Sequence, residues 1–217
     1  MKKKLLAMML MGTLVAASIA GCGNSGDGSD SEHVQEQAQS GDTQDNSQSA
    51  SGDEQSGENS ENALIVYFSW SGNTEAVAQE IQNQTGADIF KIEPQEPYTD
   101  DYNELLDIAQ NEQQEEARPV IAETVDNIED YDTVYFGYPN WWGDMPMIMY
   151  SFLDDYDLSG KVIAPFVTSG GSGFSGTLDT IQEMEPQAEV TEGLSLGSGE
   201  ADDSADAVSQ WLGEIGL

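Results

Sequence analysis

Ala63-Leu64-Ile65-Val66-Tyr67-Phe68-Ser69-Trp70-Ser71-Gly72-Asn73-Thr74 passes without a break from an apolar run into a hydroxyl-rich turn. Six apolar residues with β-branched and aromatic members read as a buried strand. Glu75-Ala76-Val77-Ala78 then opens a helix, whose first amides have no intrahelical partner. Hydroxyl side chains, a permissive glycine and free N–H groups at the positive end of a helix dipole make a seat for a phosphate dianion. No Lys or Arg lies within the loop, so dipoles rather than a full charge would neutralise the anion. An ordinary strand–turn–helix with a good cap fits the same residues, and the choice between the two rests on the rest of the chain.

Downstream, strand-like and helix-like patterns alternate. Residues 87–92 read as a second strand after a helix around 74–84, and Tyr102, Leu105, Leu106 and Ala109 fall at helical spacing within 101–116. A third strand, 133–138, stops at Pro139. The segment 145–155 reads as a helix with Pro146 in its first turn, where proline is tolerated. Residues 161–168 make a fourth strand, in which Pro165 is awkward for a central position. A helix near 175–185 and a fifth strand within 188–196 follow, and the last helix carries Ala205, Val208, Leu212 and Ile215 on one face. Five such units imply a doubly wound α/β fold, a five-stranded parallel sheet with helices on both faces. Ligands of these sheets bind outside the carboxyl ends of the strands, where the strand order reverses.

Three unusual loops fall at carboxyl ends: 69–74 after strand one, 139–143 after strand three and 169–176 after strand four. Pro139-Asn140-Trp141-Trp142-Gly143 sets two large planar side chains in one loop. They either cap a hydrophobic core or stack on a planar heterocycle. Ser169-Gly170-Gly171-Ser172-Gly173-Phe174-Ser175-Gly176 lets backbone approach a ligand closely and offers amide donors; a plain surface loop is the alternative. Its G-x-G-x-x-G spacing would suit a nicotinamide dinucleotide only with an acid at the end of the next strand, and Leu196-Gly197 stand there. A phospho-receiver needs acids after strands one and three, where Phe68-Ser69 and Tyr138-Pro139 stand instead.

Composition narrows the chemistry. The chain has one Cys, Cys22, and one His, His33, both upstream of residue 62. The region 62–217 therefore has no thiol, no imidazole and no His- or Cys-based metal site, and Ser-His-Asp and Cys-His schemes are excluded. Chemistry in this domain calls for a bound cofactor. Of the chain's 41 acidic residues, 31 lie in 62–217 against Lys91, Arg118 and Lys161, a formal balance of −28. That charge argues against nucleic acid and anionic membranes as partners and permits a basic protein partner.

A hydroxyl-rich loop ending in Gly72-Asn73-Thr74, an aromatic loop and a glycine-rich loop, in this order, resemble the flavodoxin-like FMN proteins across 62–217. The resemblance implies a flavodoxin-like fold, FMN as cofactor and electron transfer through it. It gives the phosphate to Ser69, Trp70, Ser71, Gly72, Asn73 and Thr74. The isoalloxazine ring falls to Pro139, Asn140, Trp141, Trp142 and Gly143, and its other edge to Ser169, Gly170, Gly171, Gly173 and Phe174. The Ser-Trp-Ser opening departs from the usual Thr-containing one. The implied partners are a redox protein or a small-molecule electron acceptor. Two further readings stay open: an NAD(P)H-dependent reductase of FMN or quinones, and a non-catalytic ligand-binding surface protein.

Residues 1–21 read as a secretory signal, with Lys2-Lys3-Lys4 before an apolar stretch shorter than a membrane span needs. Ile19-Ala20-Gly21-Cys22 resembles a bacterial lipobox, which implies cleavage before Cys22, its acylation and an anchor on the extracytoplasmic face of the membrane. Residues 22–62 are Ser, Gly, Gln, Asn, Asp and Glu with almost nothing apolar. Such a stretch cannot offset its ordering entropy and reads as a disordered tether, about 40 residues long with a mean reach of roughly 35 Å. The folded domain is expected over 63–217.

Overall fold

The computed structural model describes residues 62–217. Cys22, expected to be lipidated, the expected signal at 1–21 and nearly all of the expected tether at 22–62 lie outside the described residues. Strand β1 (Ala63–Tyr67) leads to helix α1 (Asn73–Thr85), β2 (Asp88–Lys91), α2 (Tyr102–Glu115), β3 (Thr133–Pro139), α3 (Met147–Asp155) and β4 (Val162–Ser169). Then come α4 (Thr177–Met184), two short strands β5 (Glu189–Val190) and β6 (Leu194–Gly197), and α5 (Ala205–Ile215). The sheet order is β2-β1-β3-β4-β5, with β6 also beside β4, and all pairings are parallel. From β1 the chain first moves outward to β2 and later returns to place β3 on the other side of β1. The carboxyl ends of β1 and β3 therefore flank the switch point at which such folds bind ligands.

Period-two alternation divides the strands between two cores. Leu64, Val66, Val134, Phe136 and Tyr138 pack with Ile148, Met149 and Phe152 of α3 and Ile181 of α4. Ile65, Tyr67, Tyr135 and Phe166 pack on the opposite face with Val77 and Ile81 of α1 and Val208, Trp211 and Leu212 of α5. Burial on both faces explains why β1 and β3 read as continuous apolar runs.

Several expectations need correction. The fifth strand is broken into β5 and β6 at 191–193. Pro165 nonetheless sits in the central strand β4, and the break explains how. Alternation puts Pro165 on the same side of β4 as Ile163 and Ser169, whose carbonyls accept from Thr191 and Ser198. Its missing N–H thus faces the interruption, where no ladder bond is required. Pro146 is the residue before α3, with ψ 144°, not part of its first turn. Ala205 is exposed, and Trp211 takes the buried place on α5.

Candidate functional site

A cavity of about 590 Å³ opens among the three loops at the carboxyl end of the sheet. Trp70, Ser71 and Asn73 reach it from the first loop, Pro139, Asn140, Trp141 and Trp142 from the second, and Ser169 and Gly170 from the third. No charged side chain lines it, and among the described residues no cluster of His, Cys, Asp or Glu could hold a metal.

The first loop leaves backbone amides free where α1 begins. Gly72 takes φ 92°, in the left-handed region that only glycine enters freely, and no side chain caps α1. The first bond of the helix runs from Ala76 N to Gly72 O at 2.9 Å. The amides of residues 73–75 are left without intrahelical acceptors, at the positive end of a 13-residue helix. Ser69 Oγ accepts from Gly72 N at 3.2 Å, which holds the turn. Thr74 is buried, and its hydroxyl is shared with that of Thr168 at 2.8 Å, joining the start of α1 to the end of β4.

Asn140 joins the other two loops. Its amide donates to Gly173 O at 2.8 Å and Ser175 Oγ at 3.1 Å, while its Oδ1 accepts from Gly143 N at 3.0 Å. Residues 141–144 close a tight turn in which Trp141 and Asp144 exchange backbone bonds of 2.8 and 3.0 Å. Trp142 and Gly143 both have positive φ, 55° and 81°, as a type I′ turn demands. Trp141 is half-buried and packs edge-to-face on Phe68 and Tyr98, with centroids 5.4 and 5.6 Å away. It is at once core cap and cavity wall. Tyr98 in turn donates its hydroxyl to Glu112 of α2 at 2.8 Å. Burial first, then the Glu112 carboxylate, pushes the Tyr98 phenol far above its ordinary range.

In the third loop, Ser169 Oγ accepts from Gly171 N and Gly173 N at 3.1 and 2.9 Å, so those two amides brace the loop. Gly170 is the loop glycine that lines the cavity, and a Cβ built there would meet nothing within 4 Å. Phe174 does not line the cavity; it packs under Tyr138 at 6.4 Å and fills the space that a side chain on Gly193 would need. Tyr138 OH and Thr177 Oγ1 lie 2.7 Å apart, and Thr177 donates to Phe174 O at 2.8 Å, which pins the loop from beneath.

Tyr102, Leu105, Leu106 and Ala109 form a further wall from α2, and Thr168 and Ser198 complete the lining. The α2 face was visible as helical spacing but carries no mark separating cavity wall from core. Ser198 reaches the site only because β6 pairs with β4, a tertiary fact with no local signal.

A flavodoxin family model matches residues 62–215. A solved candidate flavoprotein from Bacteroides eggerthii is 31% identical, with 72% of this chain and 98% of that one covered and a TM-score of 0.63. Another from Bacteroides uniformis is 28% identical over 70% and 97% of the two chains, again at 0.63. A Lactobacillus acidophilus flavoprotein solved in complex with FMN is 24% identical over 68% and 98%, with a TM-score of 0.56. No curated protein matches the chain. Strand order, three loops around one crevice at the switch point and a match spanning the whole described domain agree: this chain belongs to the flavodoxin family.

Proposed function

We propose that this protein is an FMN-dependent redox protein of the cell envelope, which transfers electrons through FMN held in the cavity between its three loops. The observation that carries the reading is the donor set. Uncapped amides at the start of α1 lie beside Ser71 and Asn73, a seat for a phosphate group without a cationic side chain. Open space at Gly72 and Gly170, where a Cβ would meet nothing within 4 Å, leaves room for close backbone approach. The indole faces of the second loop suit a planar heterocycle, and the Lactobacillus relative binds FMN in the same fold. The residues present therefore fit the group.

In this reading Ser69, Ser71, Gly72, Asn73 and the amides of 73–75 hold the phosphate. Pro139, Asn140, Trp141, Trp142, Ser169 and Gly170 border the ring. Bound there, FMN supplies reversible uptake and release of electrons, chemistry no side chain of the domain offers. The chain's own part is to bind, orient and shield. Asn140 keeps the second and third loops in register, and the Phe68–Tyr98–Trp141 cluster keeps water from the apolar side. No His or Cys stands in 62–217 and no charged side chain lines the cavity, so no side chain is poised there as an obligatory proton donor. Exchange partners are a redox protein or a small-molecule acceptor.

The envelope location rests on Ile19-Ala20-Gly21-Cys22 after a Lys-rich start and a short apolar run. The purified protein is expected to show flavin absorbance, with one FMN per chain on extraction. A colourless protein that takes up no FMN on titration would leave a ligand-binding lipoprotein in place of the redox reading.

A further inference from the structure

Glu75 is the acid in the first turn of α1, the third helical residue after the cap position Gly72. A glutamate at that place commonly folds back onto its own helix start and accepts from the backbone N–H of the capping residue. The helix dipole favours its negative charge there as well. The amides assigned above to a phosphate are therefore within reach of an anion that the chain itself carries.

The structure holds that carboxylate elsewhere. Glu75 Oε2 accepts from Lys91 Nζ at 3.1 Å, and Gly72 N donates to Ser69 Oγ instead. Lys91 ends β2, in register with Tyr67 of β1. It does not line the cavity among the three loops; it lines a hollow of about 390 Å³ behind Ser69 and Trp70. Tyr67 marks where the carboxylate lies. Burial first, then the charge and hydrogen bond of Glu75, push its phenol up to about 12. Glu93 is the more distant acid of Lys91, at 3.9 Å. No other cation can take over the task, because Arg118 is paired with Asp154 and Lys161 donates to the carbonyls of Glu129 and Tyr131.

We propose that Lys91 is a positioning residue of the phosphate seat: it draws the Glu75 carboxylate toward β2 and so keeps the amides at the start of α1 open to an external anion. Lys91 acts through Glu75 and touches no ligand. The inference deepens the FMN reading, on which it rests, by naming what stops the chain from closing that site with its own carboxylate.

The full chain, its Lys91→Gln variant and the double variant Lys91→Gln with Glu75→Gln are titrated with FMN and riboflavin at low ionic strength, where exposed charges are least screened. Lys91→Gln should weaken FMN about three- to tenfold and leave riboflavin unchanged, because only FMN brings a phosphate to the amides. The double variant has no carboxylate to fold back, so its FMN affinity should return to within about twofold of the parent. Equal losses for the two flavins in Lys91→Gln, or no recovery in the double variant, would reduce Lys91 to a structural part and overturn the proposal. FMN bound equally by the parent and Lys91→Gln overturns it too, while the FMN reading stands. Should the parent take up no FMN, inorganic phosphate is the probe, in thermal melts at matched ionic strength. A Tm raised by phosphate in the parent and the double variant but not in Lys91→Gln would then keep the inference while the FMN reading falls. Any other pattern ends both.

Discussion

Asn140 places more of the site than any other single side chain, since it meets Gly143 N, Gly173 O and Ser175 Oγ at once. Alanine there removes all three bonds, so Asn140→Ala should cost about 1–3 kcal/mol of stability and weaken FMN roughly tenfold, read by denaturant melts and flavin titration. Asn140→Asp keeps the acceptor for Gly143 N but loses the donor to Gly173 O. It should therefore fall between wild type and alanine in stability, and a variant worse than alanine would show that charge outweighs the lost bonds. Trp141 and Trp142 are expected to report on the cofactor by strong quenching of tryptophan emission when FMN binds. Unchanged emission and affinity after both side chains are removed would assign them to the core alone. At this scale the sequence was informative about which residues meet but not about their roles. Phe174 and Gly173 read as ring contacts; in the structure Phe174 packs against Tyr138 and the Gly173 amide is bonded to Ser169 Oγ. Nothing in a glycine-rich string distinguishes an amide that binds a ligand from one already satisfied.

Helix α2 lines the cavity with four side chains, yet little of the helix is buried. Of its 14 residues only Leu105 and Ala109 are buried, so its amides should exchange faster than those of α1 and slow when the cavity fills, as hydrogen exchange can measure. Tyr98 and Glu112 tie it to the aromatic cluster. Burial raises the Glu112 pKa above 4.5, partly opposed by the hydrogen bond from Tyr98. A raised folded pKa means that folding favours the protonated form. The stability so gained is complete below the unfolded value and is lost as the pH rises through the folded one. Glu112→Gln keeps an acceptor for Tyr98 without the charge. Its Tm should match wild type near pH ~4 and exceed it near pH ~7; a deficit at neutral pH would mean that the charged carboxylate itself holds the helix. The order of strands and helices was legible from hydrophobic period and from Pro and Gly punctuation. The division of the fifth strand and the tolerance of Pro165 were not, because both depend on which side of β4 stays unpaired.

Across the whole molecule the formal charge of −28 over 62–217 governs behaviour in solution. Raising ionic strength from about 0.01 M to about 1 M cuts the screening length from about 30 Å to about 3 Å. Tm should rise with salt, and the reduction potential of bound FMN should rise with it, because added electrons then meet less repulsion. A salt-independent potential with fast NAD(P)H oxidation by the protein alone would replace the carrier with a reductase. Cys22→Ala should abolish membrane association while FMN binding persists, and fractionation with membranes like the parent would refute the lipid anchor. No helix among the described residues is long and apolar enough to cross a membrane. The central claim, that the domain seats FMN by its phosphate on the start of α1, is tested most directly by titrating the apoprotein with FMN and riboflavin, before and after Asn73→Ala. The account predicts that FMN binds more tightly than riboflavin and that the substitution weakens FMN more than riboflavin. Equal affinity for the two flavins in the parent, or equal losses in the variant, would contradict it.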